Sequence, residues 1–252
     1  VTSDSTATFA ENGTGTVYTT TGSDPDAGTT LSYSISGTDA SLFNIDSSTG
    51  AITFKTAPNY ESPSDSGGNN VYDITVTASD GSLTNSKAVA ITVSNVNETP
   101  TDIALSSSSV AENQSSGTTI GTLSTTDPDA GNTFTYTLVS GTGDTDNASF
   151  TIESGVLKTG ASFDYETKNS YAIRVRSTDQ GGLYTEKTFT ITVTNVNEAP
   201  TVTSGSTATF AENGTGTVYT TTGSDPDAGT TLSYSISGTD ASLFNIDSST
   251  GA

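Results

Sequence analysis

Two sets of acidic and amide side chains give this sequence its chemical potential. The first is Glu11, Glu61, Asn95, Asn97 and Glu98 together with Asp127, Asp129 and Asp179; the second is Glu112, Asp164, Glu166, Asn195, Asn197 and Glu198 together with Asp225 and Asp227. Six of the eight members of each set are carboxylates, and the rest are amides. Donor sets made only of oxygen suit a hard cation. Calcium takes about six to eight oxygens from carboxylates, amide side chains and backbone carbonyls, whereas magnesium resists giving up its water. Ca2+ is therefore the expected cofactor. Without a cation, carboxylates about 6 Å apart repel by roughly 0.7 kcal/mol in water and about 2.8 kcal/mol at an effective dielectric near 20. Several such pairs would push a joint open, and a bound ion would reverse the sign.

Composition removes most other chemistries. The chain has no His and no Cys, so the commonest general base, the usual zinc ligands, thiolate catalysis and disulfides are all excluded. A formal charge of -21, from 28 acidic and 7 basic residues, argues against a nucleic-acid partner and against anionic membranes. No apolar run is long enough to insert into a membrane, and the first residues lack the pattern of a secretion signal, so the sequence reads as an internal stretch of a longer chain.

The elements that must position these side chains are set by repetition. Residues Ser5 to Ala51 recur unchanged as Ser206 to Ala252. Within that long period lies a divergent shorter one. Ala10-Glu11-Asn12 matches Ala111-Glu112-Asn113, and Asp24-Pro25-Asp26-Ala27-Gly28 matches Asp127-Pro128-Asp129-Ala130-Gly131. Asn95-Val96-Asn97-Glu98-Thr99-Pro100 and Asn195-Val196-Asn197-Glu198-Ala199-Pro200 close the repeats, because Pro ends strand pairing. The expected domains are 1–98, 99–198 and a partial third, 199–252, with the acidic motifs at their ends.

Each repeat reads as strands. Leu31, Tyr33 and Ile35 alternate with Ser or Thr, as do Phe134, Tyr136 and Leu138, and Val89, Ile91 and Val93 interleave with Ala and Thr. About seven short strands per hundred residues predict an all-β fold of tandem Greek-key β-sandwiches with an Ig-like architecture. The third repeat stops before the counterparts of Tyr72, Ile74, Val76, Val89, Ile91 and Val93, so it is expected to be poorly ordered.

The order of these motifs resembles the cadherin repeat, and it looks most similar to the cadherin-like repeats of bacterial surface adhesins. That family carries a Glu-Asn near its first strand, an Asp-x-Asp-x-Gly turn, a Leu-Asp-Arg-Glu-like segment, an Asp-x-Gly and an Asp-x-Asn-Asp-Asn-x-Pro linker. By this resemblance Glu11 and Glu112 fill the first role and Asp127 with Asp129 the second. Phe163-Asp164-Tyr165-Glu166 looks like the third, and Asp80 and Asp179 like the fourth. Asn59 stands where the family has an Asp, and Asn95 and Asn195 replace the leading Asp of the linker. These changes lower charge while keeping oxygen donors.

The resemblance implies a calcium-stiffened extracellular spacer or adhesion segment of a large surface or secreted adhesin, of bacterial origin, with a role in filaments or biofilm. Its expected partners are the neighbouring repeats of the same chain, with other copies of itself or surface glycans as further candidates. A calcium-dependent carbohydrate-binding module is the alternative function. An enzyme is not expected, since the acids recur at every joint with no asymmetric pocket around them. Each motif also has a plainer reading: Asp-Pro-Asp-Ala-Gly is an ordinary turn sequence, Ser62 to Asn70 beyond Glu61 reads as a solvated loop, and alternating aromatics read as core. Adhesion through an exchanged tryptophan-anchored strand is unsupported, because the chain has no Trp.

Overall fold

Strong β-branched alternation becomes paired strands throughout the first repeat of the computed structural model, which describes residues 1–252. Seven strands form: β1 (Thr6–Ala10), β2 (Thr16–Thr19), β3 (Ser32–Ser36), β4 (Phe43–Ile45), β5 (Ala51–Phe54), β6 (Val71–Ser79) and β7 (Thr84–Ser94). They make one sheet in the order β1-β7-β6-β3 and a second in the order β2-β5-β4. All pairings are antiparallel except β1 with β7, which run parallel from Thr6 opposite Ala90 to Ala10 opposite Ser94. The chain changes sheet after β1, β2, β3 and β5, as a Greek-key sandwich requires.

The period of two decides which side chains enter the core. Tyr72, Ile74, Val76 and Ala78 of β6 and Val89, Ile91 and Val93 of β7 are buried, while their neighbours face outward. Phe43 and Phe54 lie 4.4 Å apart between ring centroids, and Tyr72 stands edge-on to Phe54 at 5.0 Å.

The second repeat follows the same plan with its first strand split in two. Its strands are β8 (Asp102–Leu105), β9 (Ser109–Ala111), β10 (Thr119–Thr126), β11 (Phe134–Leu138), β12 (Phe150–Glu153), β13 (Val156–Thr159), β14 (Ser170–Asp179) and β15 (Tyr184–Thr194). The sheets are β12-β13-β10-β8 and β11-β14-β15-β9, with β9 parallel to β15. Phe150, Phe163 and Tyr171 repeat the ring cluster, with Phe163 and Tyr171 4.5 Å apart.

The chain divides into two compact units. The first is Val1–Thr101 with the segments Thr126–Thr133 and Asp179–Leu183; the second is Asp102–Thr125, Phe134–Thr178 and Tyr184–Ala252. Two short stretches numbered in the second repeat thus belong to the unit built on the first.

Residues 199–252 form only the two-residue strands β16 (Thr201–Val202) and β17 (Gly223–Ser224). The same letters that make β1 to β4 in the first repeat make no strands here. Strand pairing is cooperative with its partners, and no strand within 199–252 plays the part that β6 and β7 play in the first repeat.

One loop departs from its plainer sequence reading. Ser62 to Asn70 is organised by two buried acids rather than simply solvated. Asp39 accepts the Ser66 and Asp73 amides at 2.8 and 2.7 Å, and Asp65 accepts those of Asn69 and Asn70 at 3.1 and 3.0 Å. Backbone amides that would otherwise be orphaned explain why these carboxylates are inside.

Candidate metal centre

In the first unit the site begins where β1 ends. Glu11 is only 2 % exposed, and its two carboxylate oxygens each accept a backbone amide, from Val96 and from Tyr60, at 2.8 Å. These two bonds tie the linker after β7 and the loop after β5 to the end of β1. Asn12 then takes a left-handed conformation (φ 57°), which its short polar side chain tolerates, and turns its amide to donate to Glu98 Oε1 at 2.8 Å.

The result is convergence of three glutamates from distant parts of the sequence. Glu11, Glu61 and Glu98 each place one oxygen within 4.8 Å of the other two. Burial, followed by the repulsion of Glu11 and Glu98, pushes the Glu61 carboxyl above its ordinary value. Glu61 Oε2 and Glu98 Oε2 are buried with no hydrogen-bond partner.

The two loops of the same unit bring the remaining acids. Glu98 donates its backbone N–H to Asp129 Oδ2 at 2.7 Å, and Asn97 donates its side-chain N–H to Asp179 Oδ2 at 2.9 Å. Asp127 caps its own turn, accepting Asp129 N at 2.9 Å and Asn132 Nδ2 at 3.0 Å, and its Oδ2 is a third buried oxygen without a partner. Burial raises the Asp179 carboxyl, but donation from Asn97 and from the Leu183, Gly181 and Gly182 amides outweighs it and holds the group below the usual carboxylate range.

The second unit repeats the arrangement with fewer members. Glu112, 1 % exposed, accepts Tyr165 N at 2.7 Å and Val196 N at 2.8 Å. Glu112, Glu166 and Glu198 again offer oxygens within 4.8 Å of one another, and Asn113 (φ 60°) donates to Glu198 Oε1. Glu198 N donates to Asp227 Oδ2 at 2.8 Å, Asn195 Nδ2 donates to Asp227 Oδ1 at 2.8 Å and to Glu166 Oε1 at 3.1 Å, and Asp225 accepts Asp227 N at 2.9 Å. Burial and the charges of Glu112, Glu198 and Asp227 raise the Glu166 carboxyl.

Not every sequence candidate lies in these clusters. Asp164 is exposed, and both its oxygens serve Thr167, at 2.9 Å each. Asn59 does the same for Ser62 N at 2.6 Å, so this position shapes the turn that presents Glu61 or Glu166. Asn95 and Asn197 are exposed, and the Asn197 amide donates to the Glu198 carbonyl at 3.0 Å. In the other direction, sequence reasoning passed over Asn12 and Asn113 as members of the site, although the shared Ala-Glu-Asn motif was the signal for them.

Residues 106–194 match the family described as Cadherin domain. Protein dachsous of Drosophila melanogaster is 30% identical over 250 residues, which is 88% of this chain and 7% of that protein. Among solved structures, mouse cadherin-23 EC22-24 superposes with a TM-score of 0.69 and 25% identity, covering 98% of this chain and 83% of that one. The protocadherin GammaB4 extracellular domain gives a TM-score of 0.69 and 27% identity, covering 98% of this chain and 42% of that one.

Residues 106–194 match a cadherin domain, and the chain as a whole has the fold of tandem cadherin domains.

The cadherin repeats agree with the expected all-β sandwiches, and the cadherin family is one of adhesion proteins, not of enzymes. Dachsous is an animal protein and the named cadherin-23 is from mouse, so these relatives lend no support to a bacterial source or to the filament and biofilm roles expected with it. The chain spans a small part of dachsous, and no helix in it is long and apolar enough to cross a membrane.

Proposed function

We propose that these cadherin repeats are a calcium-ordered segment of an extracellular spacer or adhesion protein. The observation that carries the reading is the convergence of Glu11, Glu61 and Glu98 with Glu61 Oε2, Glu98 Oε2 and Asp127 Oδ2 buried and unpartnered. A buried carboxylate oxygen without a donor costs free energy unless something positive meets it, and a hard cation fits an all-oxygen set. In the first unit, Glu11, Glu61, Glu98, Asp127, Asp129, Asp179 and the Asn97 amide oxygen would hold Ca2+. In the second, Glu112, Glu166, Glu198, Asp225, Asp227 and the Asn195 amide oxygen would do so. Bound calcium supplies positive charge that cancels the mutual repulsion of these groups. The chain's own contribution is to pin Glu11 and Glu112 through two backbone amides each, so that the remaining acids meet a fixed centre.

Ordering of successive repeats by the cation is the function this supports, with other copies of the chain or surface glycans as partners of the whole protein. Small-angle scattering and thermal unfolding with and without a chelator test it. Calcium is expected to raise the melting temperature and to reduce flexibility. Identical scattering profiles and identical melting in both conditions would remove the basis for the reading.

A further inference from the structure

Three segments of the first unit meet around Asp129 and Asp179: the linker Asn97-Glu98, the loop 127–133 after β10, and the hairpin tip 179–183 between β14 and β15. Two sides of this triangle start from the linker. Glu98 N donates to Asp129 Oδ2 at 2.7 Å, and Asn97 Nδ2 donates to Asp179 Oδ2 at 2.9 Å. A loop held by a single bond can still swing about it, so these two sides alone do not fix the gap between the acids.

Gln180 supplies the third side. Its Oε1 accepts Thr133 N at 2.7 Å and Thr133 Oγ1 at 3.2 Å, and its Nε2 donates to Asn132 Oδ1. Asn132 passes the tie on, because its Nδ2 donates at 3.0 Å to Asp127 Oδ1, the oxygen that also accepts Asp129 N at 2.9 Å. Both ends of one amide side chain thus hold the opposite loop, and the ring of linker, loop and hairpin is closed. The acids inside it are well covered: Asp129 and Asp179 are each 6 % exposed, and Asp127 Oδ2 is buried without a partner.

The turns themselves do not need this tie. The first repeat has the same Asp-Pro-Asp-Ala-Gly turn, but Thr29 stands where Asn132 does, and Asp80-Gly81-Ser82-Leu83 is one residue shorter than Asp179-Gln180-Gly181-Gly182-Leu183. There Asp24 accepts Asp26 N, Asp80 accepts Ser82 N and Leu83 N, and no hydrogen bond joins residues 24–30 to residues 80–82. Each turn forms alone, so what Gln180 and Asn132 add is the spacing between two turns.

We infer that Gln180 and Asn132 are positioning residues of the first metal centre, which set the gap between Asp127, Asp129 and Asp179 in the metal-free chain and thereby favour calcium over magnesium. This rests on the reading of that cluster as a calcium centre. Neither side chain has to touch the ion. Outer partners that hold ligating groups in place tune metal affinity by about 10- to 100-fold. Calcium sits about 2.3 to 2.6 Å from its oxygens and magnesium about 2.0 to 2.1 Å, so a gap held open suits the larger ion, whereas loops free to close serve the smaller.

NMR of the isotope-labelled full chain tests this, because the Glu98 amide, bonded to Asp129, reports the first centre and the Glu198 amide, bonded to Asp227, the second. In metal-free Gln180→Ala, Glu98 N is expected to exchange with solvent faster while the melting temperature stays that of the unsubstituted chain. The calcium midpoint read at Glu98 is expected to weaken about tenfold and the magnesium midpoint by less, so that the ratio between them falls. The calcium midpoint at Glu198 is expected to stay in place, and Asn132→Ala to move the Glu98 readings in the same direction. The inference is overturned if Gln180→Ala leaves the Glu98 midpoints unchanged, if calcium and magnesium weaken equally, or if Glu198 and the melting temperature shift alongside, which would mark a general loss of stability. An unsubstituted chain whose Glu98 amide ignores calcium overturns the metal-centre reading and this inference with it. A normal calcium response in that chain, with Gln180→Ala behaving identically, overturns this inference alone.

Discussion

Asn97 donates to Asp179 across 2.9 Å, joining residues 82 apart in the sequence, and the contact exists because position 181 carries no side chain. A Cβ added at Gly181 would lie 2.6 to 2.8 Å from the Asn97 side-chain atoms, closer than real contacts allow. Glu98 N reaches Asp129 in one loop, and Asn97 makes the linker's hydrogen bond to Asp179 in the other, so the position of Asn97 decides whether Asp179 belongs to the cluster.

Gly181→Ala is accordingly expected to expel Asn97 from Asp179 while leaving the sandwich cores intact. Calcium affinity measured by titration calorimetry should fall on the order of tenfold, the scale of one charge-assisted hydrogen bond. Unchanged affinity would show that Asp179 acts without Asn97.

Glu11 and Glu112 serve two amides each, so their removal is expected to destabilise the chain even when calcium is absent. Glu11→Ala leaves Tyr60 N and Val96 N without their acceptor and should cost about 2 to 4 kcal/mol in metal-free urea unfolding of the first unit. Glu112→Ala should do the same to the second unit through Tyr165 N and Val196 N. A cost appearing only with calcium present would mean that these acids are ligands and nothing more.

The metal-free chain is expected to gain stability as pH is lowered from neutral toward the ordinary glutamate range. Glu61 has a folded pKa above its usual 4.5, so between those values the folded state holds more proton than the unfolded state, and stability falls as pH rises through the window. Asp46 works in the opposite sense. Held at about 2 by the Thr49 amide, the Ser48 hydroxyl and the Ser48 amide, it contributes stability that is present above 3.8 and lost as pH falls toward its folded value. Melting temperature against pH without calcium should thus pass through a maximum, and Glu61→Gln should flatten the limb above it.

Phe43 and Phe244 occupy identical stretches of sequence in different surroundings. Phe43→Ala should cost about 3 to 5 kcal/mol of first-unit stability, because it empties the ring cluster with Phe54 and Tyr72. Phe244→Ala, at a position 51 % exposed, should change unfolding by less than about 0.5 kcal/mol. Equal effects would mean that residues 206–252 pack in solution as residues 5–51 do.

Much of this protein could be read from its letters. The alternation of Val89, Ile91 and Val93 with outward residues is a local property, since successive side chains on a strand point to opposite faces, and it correctly named the core of β7. The recurrence of Ala-Glu-Asn, Asp-Pro-Asp and Asn-Val-Asn-Glu pointed to Glu11, Glu98 and Asp129, which the fold brings near one another, because a motif repeated at a fixed period reports a shared structural role. The role of Asn12 is not legible in spacing: it depends on a left-handed backbone that aims its amide at Glu98, and no spacing rule encodes that direction. Asp39 and Asp65 were equally silent, because a carboxylate that collects backbone amides looks in sequence like any surface acid.

One string of letters meets two fates in this chain, and nothing inside the string itself decides between them. Ser5–Ala51 and Ser206–Ala252 share every local preference, and their turns and Asp-centred loops form alike. Only the first becomes a set of strands, because hydrogen-bonded edges and buried rings require the partner strands β6 and β7. The glutamate clusters obey the same logic. Which acids exist is written locally, but whether three of their oxygens come within 4.8 Å depends on the amides of Tyr60 and Val96 reaching Glu11 from 49 and 85 residues away.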